Sequence, residues 1–450
     1  MNNTKSIVNR KHIVVIGGGL AGLKLIQRLL NSNYNITLID SNNHHLFQPL
    51  LYQVATAALS PSEIAIPLRM ILRDQDNVKV IMGTVTNIDK EKQIVSIQSG
   101  EIIKFDFLAV AIGSEQSYFG NNHWAEFAPG LKSLRDAVNI REKILTSYEK
   151  AELITDKNIR EKYLNFVIVG GGPTGVEMAG AVAEIANKTL TKDFRRFHTD
   201  NSKIYLIQKI DRILYDYPED LSFKAQLDLK NLGVEVLVNT SVVEINAEGV
   251  KTDKEFIPCT NIIWAAGNVV SPLLKCLNTP LDNIGRVIVK NDLSIEGHPN
   301  IFVLGDAAHF IDIKNDKNTP SLAALPSTAT VAIQQGDYLG KLLKLIDSNS
   351  DSNSNLSADL NSQSHPYVRM SFKYWDKGKI ATIGRSKAVA YISGIKLTGM
   401  PAWLLWVVVH VWFLISFHNK IIVIIEWIWA YFTYERTSRI ILSSNNKTVS

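Results

Sequence analysis

Gly17, Gly19 and Gly22 follow the apolar run Ile13–Ile16 at the spacing GxGxxG, and Asp40 closes the next apolar run, NITLID. Residues of these types at this spacing suit one chemistry, the cradling of a dinucleotide. Gly17 makes the tight turn, Gly19 lets the backbone approach a pyrophosphate, and Gly22 lets helix and strand pack closely. The helix N-terminus faces the phosphates, and the Asp40 carboxylate accepts from a ribose hydroxyl. Such a glycine triplet is weak evidence alone. A strand before it, the helix-compatible Leu23–Leu30 after it, and an acid about 20 residues on make it specific. The pattern then recurs. Phe166–Val169 leads into Gly170, Gly172 and Gly175, with an apolar helix and the strand Lys203–Ile207 behind them. In this second copy Gln208 stands where the acid belongs.

Each glycine loop needs a sheet to hold it, and the patterning supplies two. Val78–Met82, Val85–Ile88 and Gln93–Ile97 read as small strands, and Phe105–Ile112 as a buried one stopped by Gly113. In the second copy Pro218–Leu232 reads as an amphipathic helix and Val234–Val238 as a strand, and NIIWAAG stops at Gly267. The whole unit is therefore duplicated, a stronger signal than either loop. Ser133–Lys150 and Thr328–Leu345 carry helical spacing. Ser41–Leu72, punctuated by Pro49, Pro61 and Pro67, reads as short helices and loops and not as a strand. Asn300–His309, NIFVLGDAAH, is a buried strand running into a Gly305-Asp306 turn. The Ser/Asn/Asp-rich stretch 347–365 cannot bury a core and reads as a linker or loop.

A chain of 450 residues calls for two or three domains. The net charge of +5 is unevenly spread: from His365 onward 11 Lys or Arg face 3 Asp or Glu, and six of the eight tryptophans lie there. A basic, Trp-rich tail points to an anionic membrane surface, and its long aliphatic runs argue against nucleic acid. Met400–Phe417 is an 18-residue run with His410 inside it, and Ile421–Phe432 is interrupted by Glu426. A spanning helix wants roughly 20 apolar residues, so a single span and a buried core helix compete with a segment lying in the interface. Trp403, Trp406, Trp412, Trp427 and Trp429 favour the interface. Cys259 and Cys276 allow at most one bridge, read as structural, and make a reducing compartment the default. No apolar segment of signal length precedes Ile13, which argues against secretion. No metal site is expected.

Two dinucleotide folds joined by a Gly-Asp turn resemble the two-dinucleotide-binding-domain flavoproteins. Ser41–Leu72 holds no cysteine pair, so disulfide-reductase chemistry is set aside. The stretches HHLFQPLLYQVATAALSPSEIAIPLR, GGGPTGVEMAG, LGDAAH, FKYWDKGKIATIGRSKAV and TGMPAWLLWVVVHVWFLISFHNKIIVIIEWIWAYF resemble the type II NADH:quinone oxidoreductases, which do not pump protons. The resemblance implies an α/β fold of two Rossmann-like domains, with a C-terminal membrane-anchoring helical segment. It places an FAD domain at 1–160 and 276–346, an inserted NAD(P)H domain at 161–275, the linker at 347–365 and the membrane segment at 366–450.

By the same resemblance FAD is held by the first loop, with Asp40 on the adenosine ribose, Asp306 on the ribitol, and Gly113 and Gly305 beside it. NADH or NADPH is held by the second loop with Gln208 and Gly267. Hydride then passes to FAD and two electrons to a membrane quinone. The family's quinone helix begins AQxAxQQ; here Gln334 and Gln335 match, while Thr330 replaces the first glutamine. Glu177 matches a glutamate implied to deliver protons to the reduced quinone or to control charge transfer. Gln208 lacks the carboxylate that repels a 2′-phosphate, and Lys209 and Arg212 lie close in sequence, so NADPH is expected to be tolerated. The resemblance also implies a homodimer and a monotopic protein on the cytoplasmic face of the inner membrane. An NAD(P)H oxidase, a ferredoxin-type reductase and a non-turnover FAD-binding protein are the alternatives.

Overall fold

A continuous β-branched run with no polar interruption forms a strand covered on both faces, and Ile13, Val14 and Val15 are each fully buried. They belong to the strand His12–Ile16 of the computed structural model, which describes residues 10–311, 324–352 and 369–441. The chain forms two compact units: Met1–His45, Ile66–Glu115 and Asn268–Asp376 make the first, and Leu46–Ala65, Gln116–Gly267 and Lys377–Ser450 the second.

In the first unit six strands lie in the order Ser294–Ile295, His298–Val303, Phe107–Val110, His12–Ile16, Asn35–Asp40, Val78–Met82. All neighbours are parallel except the first pair. The helix Leu20–Leu29 follows the glycine loop, and no side chain caps it. Its first-turn N–H groups are thereby left to another acceptor. Against it packs the helix Ala329–Ser352, so closely that a Cβ on Gly336 would lie 2.3 Å from the Ala21 carbonyl oxygen. Tyr34 fixes the crossing by donating to the Leu343 carbonyl at 2.9 Å.

That helix runs through residues 347–352, which corrects the linker expected from 347. Extending an existing helix fixes few new dihedrals for each hydrogen bond gained, so polar residues of modest propensity are carried along. Residues 353–365 lie outside the described residues.

The second unit repeats the plan. Four parallel strands stand in the order Val234–Leu237, Lys203–Ile207, Asn165–Val169, Asn261–Trp264. Each loop-bearing strand thus sits inside its sheet, between the next strand in sequence and the strand that ends at a glycine. Each unit also carries a three-stranded antiparallel meander, 85–104 in the first and 242–258 in the second. The helix Leu134–Leu153 starts at a reciprocal Ser133–Asp136 capping box. Ser41–Leu72 contributes the expected short helices, together with three-residue strands at His44–Leu46 and Ala65–Pro67. Pro67 ends its strand, where a missing N–H is tolerated.

The second unit closes with a three-stranded sheet, Lys379–Gly384, Lys387–Ile392 and Ile395–Thr398, and two helices, Gly399–Phe413 and Phe417–Thr433. The 18-residue apolar run is therefore split. Leu414 leaves the helical region, and Ser416 caps the second helix by accepting the Asn419 N–H. Asn419 turns inward and donates to the Ser62 and Glu63 carbonyls at 2.9 Å each. Among the described residues no helix is long and apolar enough to cross a membrane.

Candidate active site

The first glycine loop has the shape its sequence demands. Gly17 sits at φ +101°, and a Cβ there would lie 2.3 Å from the Ala111 carbonyl oxygen. A Cβ on Gly22 would come within 2.0 Å of the Gly17 oxygen, whereas one on Gly19 meets nothing within 4 Å. Two of the glycines serve close packing, and the third faces open space where a pyrophosphate can approach. Asp40 accepts the Gly18 N–H at 2.6 Å and the Asn42 N–H at 2.7 Å. A carboxylate has about four lone-pair sites, so ribose hydroxyls can still be received.

His45, 2% exposed, bonds through Nδ1 to the Gly18 carbonyl at 2.9 Å. That bond requires Nδ1 to carry the proton, which makes Nε2 a bare acceptor; it is buried and meets no partner among the described residues. Burial holds the ring below the ordinary histidine pKa and so neutral. At the far wall of the same unit, Asp306 accepts from Ser114 Oγ at 2.7 Å, beside Gly305 and near Gly113. An open glycine turn, an uncapped helix start and a buried orphan acceptor fit a dinucleotide such as FAD.

In the second loop a Cβ on Gly175 would stand 1.8 Å from the Gly170 oxygen, while Gly172 again faces open space. Gln208 accepts the Gly171 N–H at 3.1 Å and donates to the Arg212 carbonyl at 3.3 Å. Its amide thus braces the loop. A pocket of about 260 Å³ opens beside it, lined by Gly170, Gln208, Lys209, Thr240 and Trp264 among others. Of the two cations noted in sequence, Lys209 lines this pocket. Arg212 does not: it donates to the Tyr215 carbonyl at 2.7 Å and lies 3.3 Å from Glu219. Gly267 sits at φ +76°, and Gln116 donates to its carbonyl at 2.7 Å.

Glu177 rides on the helix Pro173–Glu184, which lies tight on the strand Lys379–Gly384. A Cβ on Gly180 would lie 1.8 Å from the Ile383 oxygen, so only glycine permits this approach. The approach brings Glu177 Oε1 to 3.5 Å from the Thr382 N–H. A cavity of about 120 Å³ opens here, with Tyr52, Gln53, Glu177, Glu184, Trp406 and Arg436 in its wall. Burial pushes the Glu177 carboxyl up to about 8, against the weaker pull of the Thr382 N–H and the Trp406 indole. Trp406 is 2% exposed, and among the described residues its indole N–H meets no acceptor within strict hydrogen-bond geometry. His410 stacks on Trp406 at 4.2 Å, and burial takes its ring down to about 4.

On the helix expected to line a quinone tunnel, Thr330, Gln334 and Gln335 each have a partner within the chain. Gln335 is 1% exposed and accepts the Gly305 N–H at 2.6 Å. Gln334 is clamped at both ends, donating to the Trp375 carbonyl at 2.9 Å and accepting the Trp375 N–H at 3.0 Å. Thr330 Oγ1 lies 3.1 Å from the Tyr374 hydroxyl. These three residues hold the Gly305 turn and the 374–375 strap.

Sequence reasoning missed Tyr52, Gln53 and Arg436. Arg436, its side chain 8% exposed, donates to the Thr56 carbonyl at 2.6 Å and pairs with Glu184 at 3.2 Å. Arg436 stands in the polar stretch Thr433–Arg439, so nothing in its sequence neighbourhood marks it. Cys259 is fully buried and free, but Cys276 is exposed and takes no part in the core, against the structural reading of both.

The pattern of the pyridine nucleotide-disulphide oxidoreductase family matches residues 11–336. The chain is 39% identical over 430 residues to the type II NADH:quinone oxidoreductase Ndh of Mycobacterium tuberculosis, covering 93% of this chain and 87% of that one. It is 31% identical to the external alternative NADH-ubiquinone oxidoreductase of Yarrowia lipolytica mitochondria, covering 93% and 79%. The fold matches NDH2 from Plasmodium falciparum in complex with NADH, with a TM-score of 0.82 at 21% identity over 95% of this chain and 99% of that one.

Proposed function

The chain belongs to the type II NADH:quinone oxidoreductases and to the pyridine nucleotide-disulphide oxidoreductase family, and we propose how its own residues carry that reaction. The reading is carried by a glycine cradle in each unit and by Glu177 in the second, whose carboxyl burial pushes up to about 8. FAD, when bound, supplies the two-electron carrier between nicotinamide and quinone. Gly17, Gly19, Gly22, Asp40, His45 and Asp306 hold it. Gly170, Gly172, Gly175, Gln208 and Gly267 hold the nicotinamide nucleotide. Without a carboxylate at 208, and with Lys209 in the pocket wall, NADPH is accepted alongside NADH. Glu177 gives its proton to the reduced quinone. Thr330 and Gln334 act by holding Tyr374 and Trp375 in place.

The last two helices form a monotopic platform on the cytoplasmic face of an anionic inner membrane, and the protein is a homodimer. In support, Leu404, Val408, Trp412, Phe417, Ile425 and Phe432 are all more than half exposed. An apolar face of this extent marks a partner or membrane surface. Flotation of the full chain with anionic and zwitterionic vesicles tests it. Binding to neither overturns the platform.

Turnover of the purified, FAD-loaded protein with NADH against menaquinone and ubiquinone analogues tests the reaction. Quinone-dependent NADH oxidation is the expected result. Equal rates with oxygen or a ferredoxin alone would sink it in favour of an oxidase or a protein reductase.

A further inference from the structure

The net reaction NADH + H⁺ + Q → NAD⁺ + QH₂ draws one proton from water beyond the transferred hydride. On the reading that Glu177 protonates the reduced quinone, its carboxylate must be refilled once per turnover. Glu177 and Glu184 lie seven residues apart on one helix and line one cavity. A rise of 1.5 Å per residue separates them by roughly 10 Å. A proton hop needs hydrogen-bond distance, so a station must stand between them.

Tyr52 lines the same cavity, and its hydroxyl has the hydrogen-bonding state a station needs. Trp427 Nε1, which can only donate, bonds to Gln53 Oε1 at 2.7 Å. The amide orientation is thereby fixed, and Gln53 Nε2 must donate to the Tyr52 hydroxyl, at 3.0 Å. The hydroxyl accepts there, and no acceptor takes its own proton among the described residues. Tyr52 is 6% exposed, in the wall of the cavity that holds both carboxyl groups. At about 120 Å³ the cavity has room for bridging water. Glu184 is half-buried, as Glu177 is: its side chain is 18% exposed and is held by Arg436 at 3.2 Å and by the Arg385 N–H at 2.6 Å.

We propose that this cavity is the refilling route of Glu177, with the Tyr52 hydroxyl as the relay and Glu184 as the entry. One O–H bond breaks at Tyr52 as one forms at Glu177, and Tyr52 regains a proton from the Glu184 side. No electrons move. The two transfers are concerted, because burial and the charges of Glu177 and Glu184 hold the Tyr52 hydroxyl well above its ordinary pKa and disfavour a free tyrosinate. Besides Tyr52 and Glu184, the ionisable groups in or beside this cavity among the described residues are Tyr217, Arg385, Tyr431, Tyr434 and Arg436.

Tyr52→Phe and Glu184→Gln in the full-length, FAD-loaded enzyme test the route. Quinone-dependent turnover should fall roughly tenfold or more near pH 8, and less at acid pH, with a larger solvent deuterium isotope effect. Entry of deuterium into the Glu177 carboxyl, followed by infrared after a jump into D₂O, should slow in both variants. FAD content and a cooperative melt establish that each variant is folded, Glu184→Gln melting lower because Arg436 loses its carboxylate; should Tyr52→Phe fail there, Glu184→Gln decides alone. If Glu177→Gln slows turnover while the relay variants keep the wild-type pH profile and exchange rate, the relay is wrong. If Glu177→Gln itself leaves quinone turnover intact, the underlying role of Glu177 falls.

Discussion

The side-chain oxygen of Gln335 accepts the backbone N–H of Gly305 at 2.6 Å, inside a fully buried setting. The glutamine therefore acts first on the Gly305-Asp306 turn. Gln335→Leu leaves that N–H unsatisfied at a cost of about 1–3 kcal/mol. It should lower Tm and FAD retention while the loaded fraction keeps its KM for quinone. A raised quinone KM with normal FAD retention would assign Gln335 to the acceptor instead.

His45 offers a second test of the flavin cradle. Its Nε2 is a buried acceptor without a partner, and a ligand donor would supply one. His45→Leu preserves bulk and removes the acceptor. We expect FAD Kd to rise roughly tenfold, the equivalent of one hydrogen bond, as read from flavin fluorescence on release. An unchanged Kd would leave His45 a packing residue.

The Arg436–Glu184 pair is buried enough for a charge left alone to matter. Arg436→Met should cost about 3–5 kcal/mol, because Glu184 then keeps an uncompensated charge and the Thr56 carbonyl loses its donor. Adding Glu184→Met should recover much of that loss. Thermal melts of wild type, both single variants and the double variant give the coupling directly.

Nucleotide choice should follow Gln208 and Lys209 and ignore Arg212, which is engaged with Tyr215 and Glu219. Gln208→Glu and Lys209→Glu are each expected to cut kcat/KM for NADPH about tenfold relative to NADH, through repulsion of the 2′-phosphate. Arg212→Ala should leave the ratio alone. A shift with Arg212→Ala and none with Lys209→Glu would reverse the assignment.

Stability should carry the mark of Glu177. Its carboxyl titrates at about 8 when folded, against 4.5 ordinarily. Between those values the folded state binds the extra proton, so this group lowers stability as pH rises through the window. The stability difference between Glu177→Gln and wild type should therefore grow in favour of the variant from about pH 5 to pH 8. A difference constant with pH would mean the carboxyl is ordinary.

The glycine loops were readable from sequence because their spacing is the geometry: Gly17, Gly22, Gly170 and Gly175 each stand where a side chain would strike backbone. The duplicated sheets were readable because burial on both faces leaves no other pattern. Gln334 and Gln335 could be picked out by motif but not given their partners, since an amide's identity does not say what it bonds. Tyr52, Gln53 and Arg436 were unreadable for a different reason. Gln53 meets Trp427 across 374 residues and Arg436 meets Thr56 across 380, and no local pattern reports a contact of that span. The break between the two tail helices reads a few residues late in the sequence, at Ser416 to Lys420, because Leu414 and Ile415 are as apolar as the helix they end.

Those long spans have a bearing on how the protein is made. Arg436 joins three stretches, touching Thr56, Ala181 and Glu184 at separations of 380, 255 and 252 residues. Contacts of that range form late, because the chain between them must first be ordered. At about 5–20 residues per second, the ribosome exposes Thr56 and its neighbours well before Arg436 exists. The Glu177 compartment is thus among the last parts of the molecule to acquire its walls, and a half-made chain cannot yet gate a proton.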